Sequence, residues 1–411
     1  MSVEKTIVIG AGIVGLSCAY MLMKKGHEVT VIDKGDITDN TSFGNAGLVS
    51  PFEEPPLSRP GIIANTLKLM LKNQSPLLIN GISPKILKWL WLFAKNANEQ
   101  RLKRTLILFE KYGEISMSYY KEMTKEFEFD FHHTGVAMIY TDMKAFENDA
   151  LECTNNPYKE VWDNTKTKQM APCVNEKVVG SIFLNRNAHL NPAMLMKNLT
   201  TYLREKGVKF ILNTQIINFE FDNKKAKKAL SKDNAYDADN FIISTGSDIS
   251  LSRKTGIDLM LTPAKGYSIT FKMNEKLKPK TALLFKDQFI GFIPRSDSVR
   301  ITSKLELGNH DYNYKMSRFE SIINTLKPFV EEFEIKDPEY WTGFRPLTPN
   351  DIPLFGRDER YNNILHANGL GWLGITFAPA IGDLVSELID KKIENKKSDD
   401  VLLFSGFYQG C

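Results

Sequence analysis

Hydrophobic and polar residues near the N-terminus follow the pattern of a strand, a helix and a second strand. Residues 6–9 form an apolar strand, the helix that follows is almost uncharged and runs through Met23, and residues 28–32 form another strand. Two parallel strands joined by a helix are the unit from which layered α/β sheets are built. The pattern therefore predicts that the chain begins with such a unit.

The rest of the chain alternates between helical and strand-like segments. Residues 61–125 have helical periodicity. Further segments are expected at residues 131–140 (strand), 192–206 (helix), 208–212, 239–247, 266–272, 289–294 and 299–305 (strands), 317–329 (helix), 363–367 (strand) and 377–391 (helix). The two ends are therefore expected to resemble a Rossmann fold, and the middle is expected to be rich in strands.

These segments predict an α/β protein with two domains. A Rossmann-like domain is interrupted by a second α+β domain that is rich in β-sheet and carries a helical insertion. The first domain is predicted to comprise residues 1–58, 168–256 and 341–411, and the second residues 59–167 and 257–340, with the insertion at 61–125.

Three glycines lie between the first strand and the helix, and an acid ends the second strand. Gly10 allows the tight turn, Gly12 lets the backbone approach a pyrophosphate, and Gly15 lets the helix pack closely on the sheet. Asp33 is placed to bind a ribose hydroxyl, and without a nearby arginine it favours FAD or NAD over NADP. The glycines and Glu4 argue against a signal peptide or a membrane span in this stretch.

The composition excludes several classes of function. The net charge of +4 is too small for a nucleic-acid-binding protein, and the six histidines show no metal-ligand spacing. The four cysteines are scattered, which predicts neither a zinc site nor a disulfide framework and fits a reducing compartment; they are Cys18, Cys153, Cys173 and Cys411.

The helical insertion accounts for the net positive charge of the chain. Residues 61–125 contain eleven Lys and Arg against four Glu. Within this segment Ile86, Trp89 and Phe93 recur at helical spacing, with lysines on another face. One interpretation is a helix packed across the second domain. The other is an interfacial helix on an anionic membrane surface, or a docking site for a partner subunit.

Further short motifs lie beyond the first strand–helix–strand unit. They are 41–47 (Thr-Ser-Phe-Gly-Asn-Ala-Gly), 244–247 (Ser-Thr-Gly-Ser), 343–346 (Gly-Phe-Arg-Pro), 351–356 (Asp-Ile-Pro-Leu-Phe-Gly) and 366–371 (His-Ala-Asn-Gly-Leu-Gly). In this order, over nearly the full length, they resemble the FAD-dependent D-amino-acid oxidase superfamily. Residues 42–47 and 371–374 are most similar to those of bacterial D-amino-acid dehydrogenases.

The resemblance implies a non-covalent FAD, because no cysteine lies beside Arg345 where some relatives attach the flavin. It places the adenosine near Asp33 and the flavin between residues 42–47 and the turn at 371–376. The residues implied to bind FAD are Gly10, Gly12, Ile13, Val14, Gly15, Asp33, Lys34, Ser42, Asn45, Ala46, Gly47, Leu48, Thr245, Gly246, Gly371, Trp372, Leu373, Gly374, Ile375 and Thr376.

The resemblance also implies the residues around the substrate. Arg345 is expected to bind the carboxylate of an amino acid through two parallel hydrogen bonds. Tyr267 is expected to close the pocket, although core packing explains it equally well, and Trp372 is expected to cap the substrate side chain or to wedge the turn. Arg295 and Arg300 flank a hairpin near the predicted floor of the pocket, and exposed hairpin charges are the favoured explanation for both.

The function implied is FAD-dependent oxidation of D-amino acids to 2-oxo acids and ammonia, with hydride transfer from Cα to flavin N5. The electrons are expected to pass to a quinone or another acceptor. The alternatives are an oxidase or dehydrogenase of glycine, sarcosine, proline or hydroxyproline, and a flavoprotein subunit of a hetero-oligomer. The expected location is cytoplasmic, with peripheral attachment to the inner face of the cell membrane as the further option.

Overall fold

The computed structural model of the protein describes residues 3–38, 40–52, 56–71, 75–153 and 155–390. Cys411 and the C-terminal end of the predicted Rossmann-like domain lie outside these ranges.

The described residues form strands and helices throughout. The strands are β1 (Lys5–Ile9), β2 (Glu28–Ile32), β3 (Leu48–Val49), β4 (Leu77–Ile79), β5 (Val136–Tyr140), β6 (Lys159–Asp163), β7 (Gly180–Leu184), β8 (Ala188–His189), β9 (Lys209–Ile211), β10 (Asn218–Asp222), β11 (Lys225–Leu230), β12 (Ala235–Asp237), β13 (Asn240–Ile243), β14 (Thr262–Lys272), β15 (Ala282–Phe285), β16 (Ile290–Pro294), β17 (Val299–Leu307), β18 (Lys336–Leu347), β19 (Leu354–Arg357) and β20 (Ile364–Asn368). The helices are α1 (Ile13–Lys24), α2 (Ile62–Leu71), α3 (Pro84–Asn96), α4 (Glu99–Met123), α5 (Met143–Glu152), α6 (Asn164–Met170), α7 (Pro192–Glu205), α8 (Ser250–Lys254), α9 (Met316–Leu326) and α10 (Gly374–Ile389).

A six-stranded sheet carries the N-terminal unit. Its strand order is β19-β20-β13-β1-β2-β9, and all neighbouring strands except β19 and β20 run parallel. The apolar side chains of α1, α4, α7 and α10 form one core on this sheet. The carboxyl ends of β1, β2, β13 and β20 therefore meet at one edge, which is where ligands bind in open α/β sheets.

A second sheet has nine strands and is mostly antiparallel. Its order is β18-β14-β17-β16-β15-β5-β7-β6, and β4 pairs with β17. Helix α9 packs on one face, where Phe319 and Ile322 join the apolar side chains of β14 and β17. Because side chains alternate along a strand, the other face of β14, β17 and β18 carries a different set of residues.

The predicted α/β class with mixed sheets is confirmed. The first unit matches closely, since β1, α1 and β2 lie within one residue of their predicted ends. The predicted boundaries do not follow the sheets everywhere: β7 and the part of β18 after residue 340 lie in ranges assigned to the Rossmann-like domain but pair within the nine-stranded sheet. Helix α4, assigned to the insertion, packs in the core of the six-stranded sheet.

Sequence periodicity missed the sheet formed by β10, β11 and β12, whose middle strand β11 contains three lysines and has no regular alternation. No helix in the described ranges is long and apolar enough to cross a membrane.

Candidate functional site

The turn after β1 requires glycine at two positions. A Cβ on Gly10, whose φ is +110°, would lie 2.4 Å from the carbonyl oxygen of Ser244 in the next strand, and one on Gly15 would lie 1.9 Å from the carbonyl oxygen of Gly10. Only glycine lets α1 start this close to the sheet. The N-cap residue Gly12 has no side chain to cap the helix, so the first turn presents backbone N–H groups to an anion.

Asp33 holds the same turn from the neighbouring strand. Its carboxylate accepts hydrogen bonds from the backbone N–H groups of Ala11 at 2.6 Å and Gly35 at 2.8 Å. Lys34, the next residue, forms a surface ion pair with Asp248 at 3.1 Å. A carboxylate fixed at the end of β2 still has lone pairs for a ribose hydroxyl.

Residues 42–47, which we call the glycine loop, lie between the two sheets. On the side of the six-stranded sheet, Ser42 Oγ accepts a hydrogen bond from the backbone N–H of Ile13 at 3.0 Å. Asn45 Oδ1 accepts one from the N–H of Gly47 at 2.9 Å and thereby closes a turn. Toward the other sheet, Ala46 and the following Leu48 pack against Val136, Ala282 and Ile293. The loop is therefore held from both sides.

The N-terminus of α10 lies against the strand that follows the glycine loop. Its N-cap, Leu373, makes no side-chain cap, and Thr376 Oγ1 donates to the carbonyl oxygen of Leu48 at 3.3 Å. Gly371, just before the helix, donates its N–H to the carbonyl oxygen of Pro346 at 3.0 Å. This turn therefore brings the positive end of a helix dipole next to the end of β18 and to the strand that follows the glycine loop.

The turn after β13 completes the edge of the six-stranded sheet. The N–H of Gly246 donates to Asn368 Oδ1 at 2.8 Å, and the Thr245 hydroxyl donates to the carbonyl oxygen of Asp248. Gly246 has a φ of +61°, and the space around a Cβ there is open. The backbone at this turn is therefore accessible to a ligand.

Arg345 lies on the face of β18 opposite to α9. It pairs with Ala264 of β14, and its Nη1 donates to the carbonyl oxygen of Lys304 at 3.2 Å. The guanidinium lies on Gly266, where a Cβ would be 2.7 Å from Cζ. It forms no ion pair with any described residue, and although burial lowers its pKa to about 10, it carries a positive charge at neutral pH. A partly buried guanidinium with free donors suits an incoming carboxylate.

Trp341 connects this face to the glycine loop. A Cβ on Gly44 would lie 2.1 Å from the indole ring, and so would one on Gly343. Thr41 Oγ1 also donates to the carbonyl oxygen of Phe344 at 3.1 Å. The strand that carries Arg345 is thus packed directly against the loop.

Tyr267 lies on the opposite face of the sheet from Arg345. It pairs with Thr342, is buried, and donates its hydroxyl to Glu306 at 2.6 Å. The ring packs edge-to-face on Phe319 of α9. The prediction that Tyr267 closes the substrate pocket does not agree with this position, because alternation along β14 turns it toward the other core.

Comparison with known proteins gives the family. The model of the FAD dependent oxidoreductase family named DAO matches residues 5–388. The chain belongs to this family.

Relatives of known name agree with this assignment. The chain is 45% identical to a D-amino acid dehydrogenase of Helicobacter pylori, over 99% of both chains. It is similar in structure to glycine oxidase from Geobacillus kaustophilus, with a TM-score of 0.74, 16% identity and coverage of 99% and 100% of the two chains. It is also similar to L-proline dehydrogenase from P. horikoshii, with a TM-score of 0.69, 18% identity and coverage of 95% and 94%. The structural matches, at this identity, show the shared fold.

FAD is the cofactor of the family, and the residues present fit it. A Cβ would fill the space at Gly10 and Gly15, the N-cap Gly12 of α1 has no side chain, and the carboxylate of Asp33 is fixed, and these three features suit a dinucleotide. The uncapped end of α10 suits the electron-rich edge of a flavin. That each predicted residue contacts FAD, and that the flavin is not covalently attached, stay predictions. Burial raises the pKa of Cys18 and Cys173 to about 12, so neither thiol is reactive at neutral pH.

Trp372 lies in the turn that precedes α10. It packs with Leu347 and Trp89 in an apolar cluster beside the end of β18, and its indole lies next to the Asp351 carboxylate. Its role as a cap over the substrate stays a prediction.

Arg295 and Arg300 were expected to be exposed, and both are buried. They lie on the face of the nine-stranded sheet that the glycine loop covers, so the expectation of exposed hairpin charges is wrong. Sequence analysis also missed Gly266 and Trp341. A glycine inside a strand signals a close approach of other atoms, and that signal was available at Gly266.

Proposed function

We propose that this protein is an FAD-dependent D-amino-acid dehydrogenase. The observation that carries the proposal is Arg345, a charged guanidinium without an ion pair among the described residues, on the sheet face that meets the glycine loop. The full-length similarity to a protein named D-amino acid dehydrogenase supports the substrate class. When bound, FAD supplies a two-electron acceptor for the hydrogen on the substrate Cα.

The residues of the chain bind and orient the substrate. The free N–H donors of Arg345 bind the carboxylate in the plane of the guanidinium. The backbone of Gly266 packs against the guanidinium and fixes its position. Trp341 and Trp372 border the same face. Holding the Cα against the flavin ring lowers the barrier chiefly by orientation, so no side-chain base is required. The oxidised product is an imino acid, which water converts to a 2-oxo acid and ammonia.

A test of this function uses the purified yellow protein with a panel of D- and L-amino acids and a quinone analogue. We expect reduction of the quinone and formation of 2-oxo acid with D-amino acids, and little hydrogen peroxide in air. Peroxide formation equal to the substrate consumed would identify an oxidase. Activity with glycine, sarcosine or L-proline alone would refute the proposed substrate class.

We further propose that a surface near the site binds an anionic membrane, from which a quinone reaches the flavin. Helix α2 has no buried residue, and Ile63, Leu67 and Leu71 point apolar side chains to solvent at helical spacing. Trp91 of α3 is 60% exposed, next to Lys95, whose ammonium lies over its ring. Exposed apolar residues interspersed with lysines suit a lipid surface.

The same helix α3 connects this surface to the site. Its other face buries Trp89, which donates its indole N–H to the carbonyl oxygen of Leu347 at 3.0 Å, two residues beyond Arg345. Both earlier interpretations of the helix are therefore compatible with the structure: one face packs on the sheet, and the other is free to bind.

Vesicle flotation tests the membrane proposal. We expect the protein to float with anionic vesicles at low salt, to bind less at high salt, and to lose binding when Leu67 and Trp91 are both changed to Glu. The matched control changes Met143 and Leu151 to Glu, which adds the same two charges at exposed sites on α5. Flotation that is unaffected by the double substitution would refute the surface, and a stable complex with another protein subunit would favour the hetero-oligomer.

A further inference from the structure

Two arginines on β16–β17 are buried in the layer between the two sheets. Arg295 follows β16 and is 5% exposed, and Arg300 lies in β17 and is 2% exposed. Arg300 pairs with Thr270 and Ile293, which places it on the face covered by the glycine loop.

Both guanidiniums reach the same backbone carbonyl of the glycine loop. Arg300 Nη1 donates to the carbonyl oxygens of Asn45 at 3.1 Å and Phe43 at 3.3 Å, and its Nε donates to Thr270 Oγ1 at 2.8 Å. Arg295 Nη2 lies 3.5 Å from the Asn45 carbonyl oxygen, and its buried Nε has no hydrogen-bond partner in the described part of the chain.

Carboxylates act on this pair only from a distance. Neither guanidinium forms an ion pair with any residue that the structure describes. Glu339, Asp297 and Asp130 act electrostatically on Arg295, and Glu339 acts on Arg300 as well, but none of them forms an ion pair with either guanidinium; Asp130 is already bound to His132 at 2.8 Å and to the N–H of Ser296 at 2.9 Å. Burial lowers the pKa of Arg295 to about 9 and that of Arg300 to about 10, so both are charged at neutral pH. Two buried charges without a counter-charge are costly unless an anion forms beside them.

We propose that Arg295 and Arg300 form a site for negative charge on the flavin, at the end of the glycine loop, and that they make the flavin easier to reduce. The inference rests on the proposed function only in placing the flavin at this loop. The oxidised flavin ring is neutral, whereas the two-electron reduced ring is an anion at neutral pH. Two fixed cations in a water-poor layer favour the anion over the neutral ring.

Sulfite binding and the reduction potential test this inference without any amino acid. Sulfite adds to the oxidised flavin ring, leaves a negative charge on it and bleaches its visible absorbance. We expect Arg300→Gln and Arg295→Gln each to weaken sulfite binding at least tenfold, and to lower the flavin potential by about 30 mV for each tenfold loss in the two-electron equilibrium. Arg318→Gln, which removes a charge from α9 on the opposite face of the same sheet, is the control and should bind sulfite like the wild type.

Lysine variants separate charge from structure. Arg300→Lys and Arg295→Lys keep the charge but lose the fork that holds the carbonyl groups, so they should keep most of the sulfite affinity that the Gln variants lose. Equal losses in Lys and Gln variants would show that the pair only shapes the loop. Unchanged sulfite affinity and flavin potential in FAD-bound Gln variants would also overturn the inference. So would Gln variants that lose affinity for the substrate analogue benzoate but keep the sulfite affinity and flavin potential of the wild type.

Discussion

The contact between Gly266 and Arg345 predicts the effect of a single methyl group. In Gly266→Ala the new Cβ would lie 2.7 Å from Cζ and 2.8 Å from both terminal nitrogens of Arg345, whereas ordinary contact begins at 3.4 Å. The guanidinium must therefore retreat by roughly 0.7 Å. It is the far end of a flexible side chain, so the strand itself need not move.

The expected result is a loss of catalysis with no loss of stability. A misplacement of about 1 Å at a positioning group can reduce a rate ~100-fold, so kcat/KM should fall by about 10- to 100-fold. The free energy of unfolding should change by less than about 1 kcal/mol, because alanine loses less backbone entropy than glycine on folding. Steady-state kinetics with a D-amino acid, thermal unfolding and the visible flavin spectrum measure the three quantities.

The adjacent Tyr267→Phe is the matched control. Its hydroxyl bonds Glu306 on the other face of the sheet, so kcat/KM should stay within about twofold of the wild type. A Gly266→Ala enzyme with wild-type kinetics would refute the placement of Arg345 over Gly266. A large effect of Tyr267→Phe with normal stability would restore Tyr267 to the pocket.

Three further substitutions test other parts of the account. Arg345→Ala should keep bound FAD but lose about 10²- to 10⁴-fold in kcat/KM, through both KM and kcat, because two charge-assisted hydrogen bonds contribute about 1.5–3 kcal/mol each; unchanged kinetics would remove Arg345 from the site. Gly44→Ala would place a Cβ 2.1 Å from the Trp341 ring, so we expect weaker FAD binding, measured as flavin released on dilution, and full retention of FAD would contradict this packing. Burial lowers the pKa of His189 to about 3, so the unfolded chain gains a proton near pH 6.5 that the folded chain does not bind. Stability should therefore decrease as pH falls below about 6.5, by up to ~1.4 kcal/mol per pH unit, and less steeply in His189→Gln when urea unfolding is followed at several pH values.

Local patterns were enough to predict the dinucleotide-binding unit. The strand, the helix and the second strand are contiguous, and glycine spacing at residues 10–15 fixes the turn regardless of the rest of the chain. Most motifs that indicated the family are also local, because residues 244–247 follow β13, residues 351–356 lead into β19 and residues 366–371 end β20, whereas residues 343–346 lie within β18. The α/β class and the cofactor could therefore be predicted from the sequence.

Which residues share a face of the nine-stranded sheet, and what covers that face, could not be predicted in this way. Whether Tyr267 and Arg345 share a face depends on the register between β14 and β18, which are far apart in the sequence. Arg300 lies between Val299 and Ile301, so alternation along the strand places it on the face opposite to theirs. The loop that buries it lies more than 250 residues earlier. Alternation reveals which residues share a face of a strand, and only the tertiary structure shows what covers that face.

The direct test of the central claim is the anaerobic visible spectrum of the purified protein mixed with matched D- and L-amino acids. The account predicts that D-amino acids bleach the flavin absorbance of the wild type, that their L-enantiomers do not, and that Arg345→Ala is bleached far more slowly at the same concentration. A yellow protein that no D-amino acid bleaches, or one that L-amino acids bleach equally well, would contradict it.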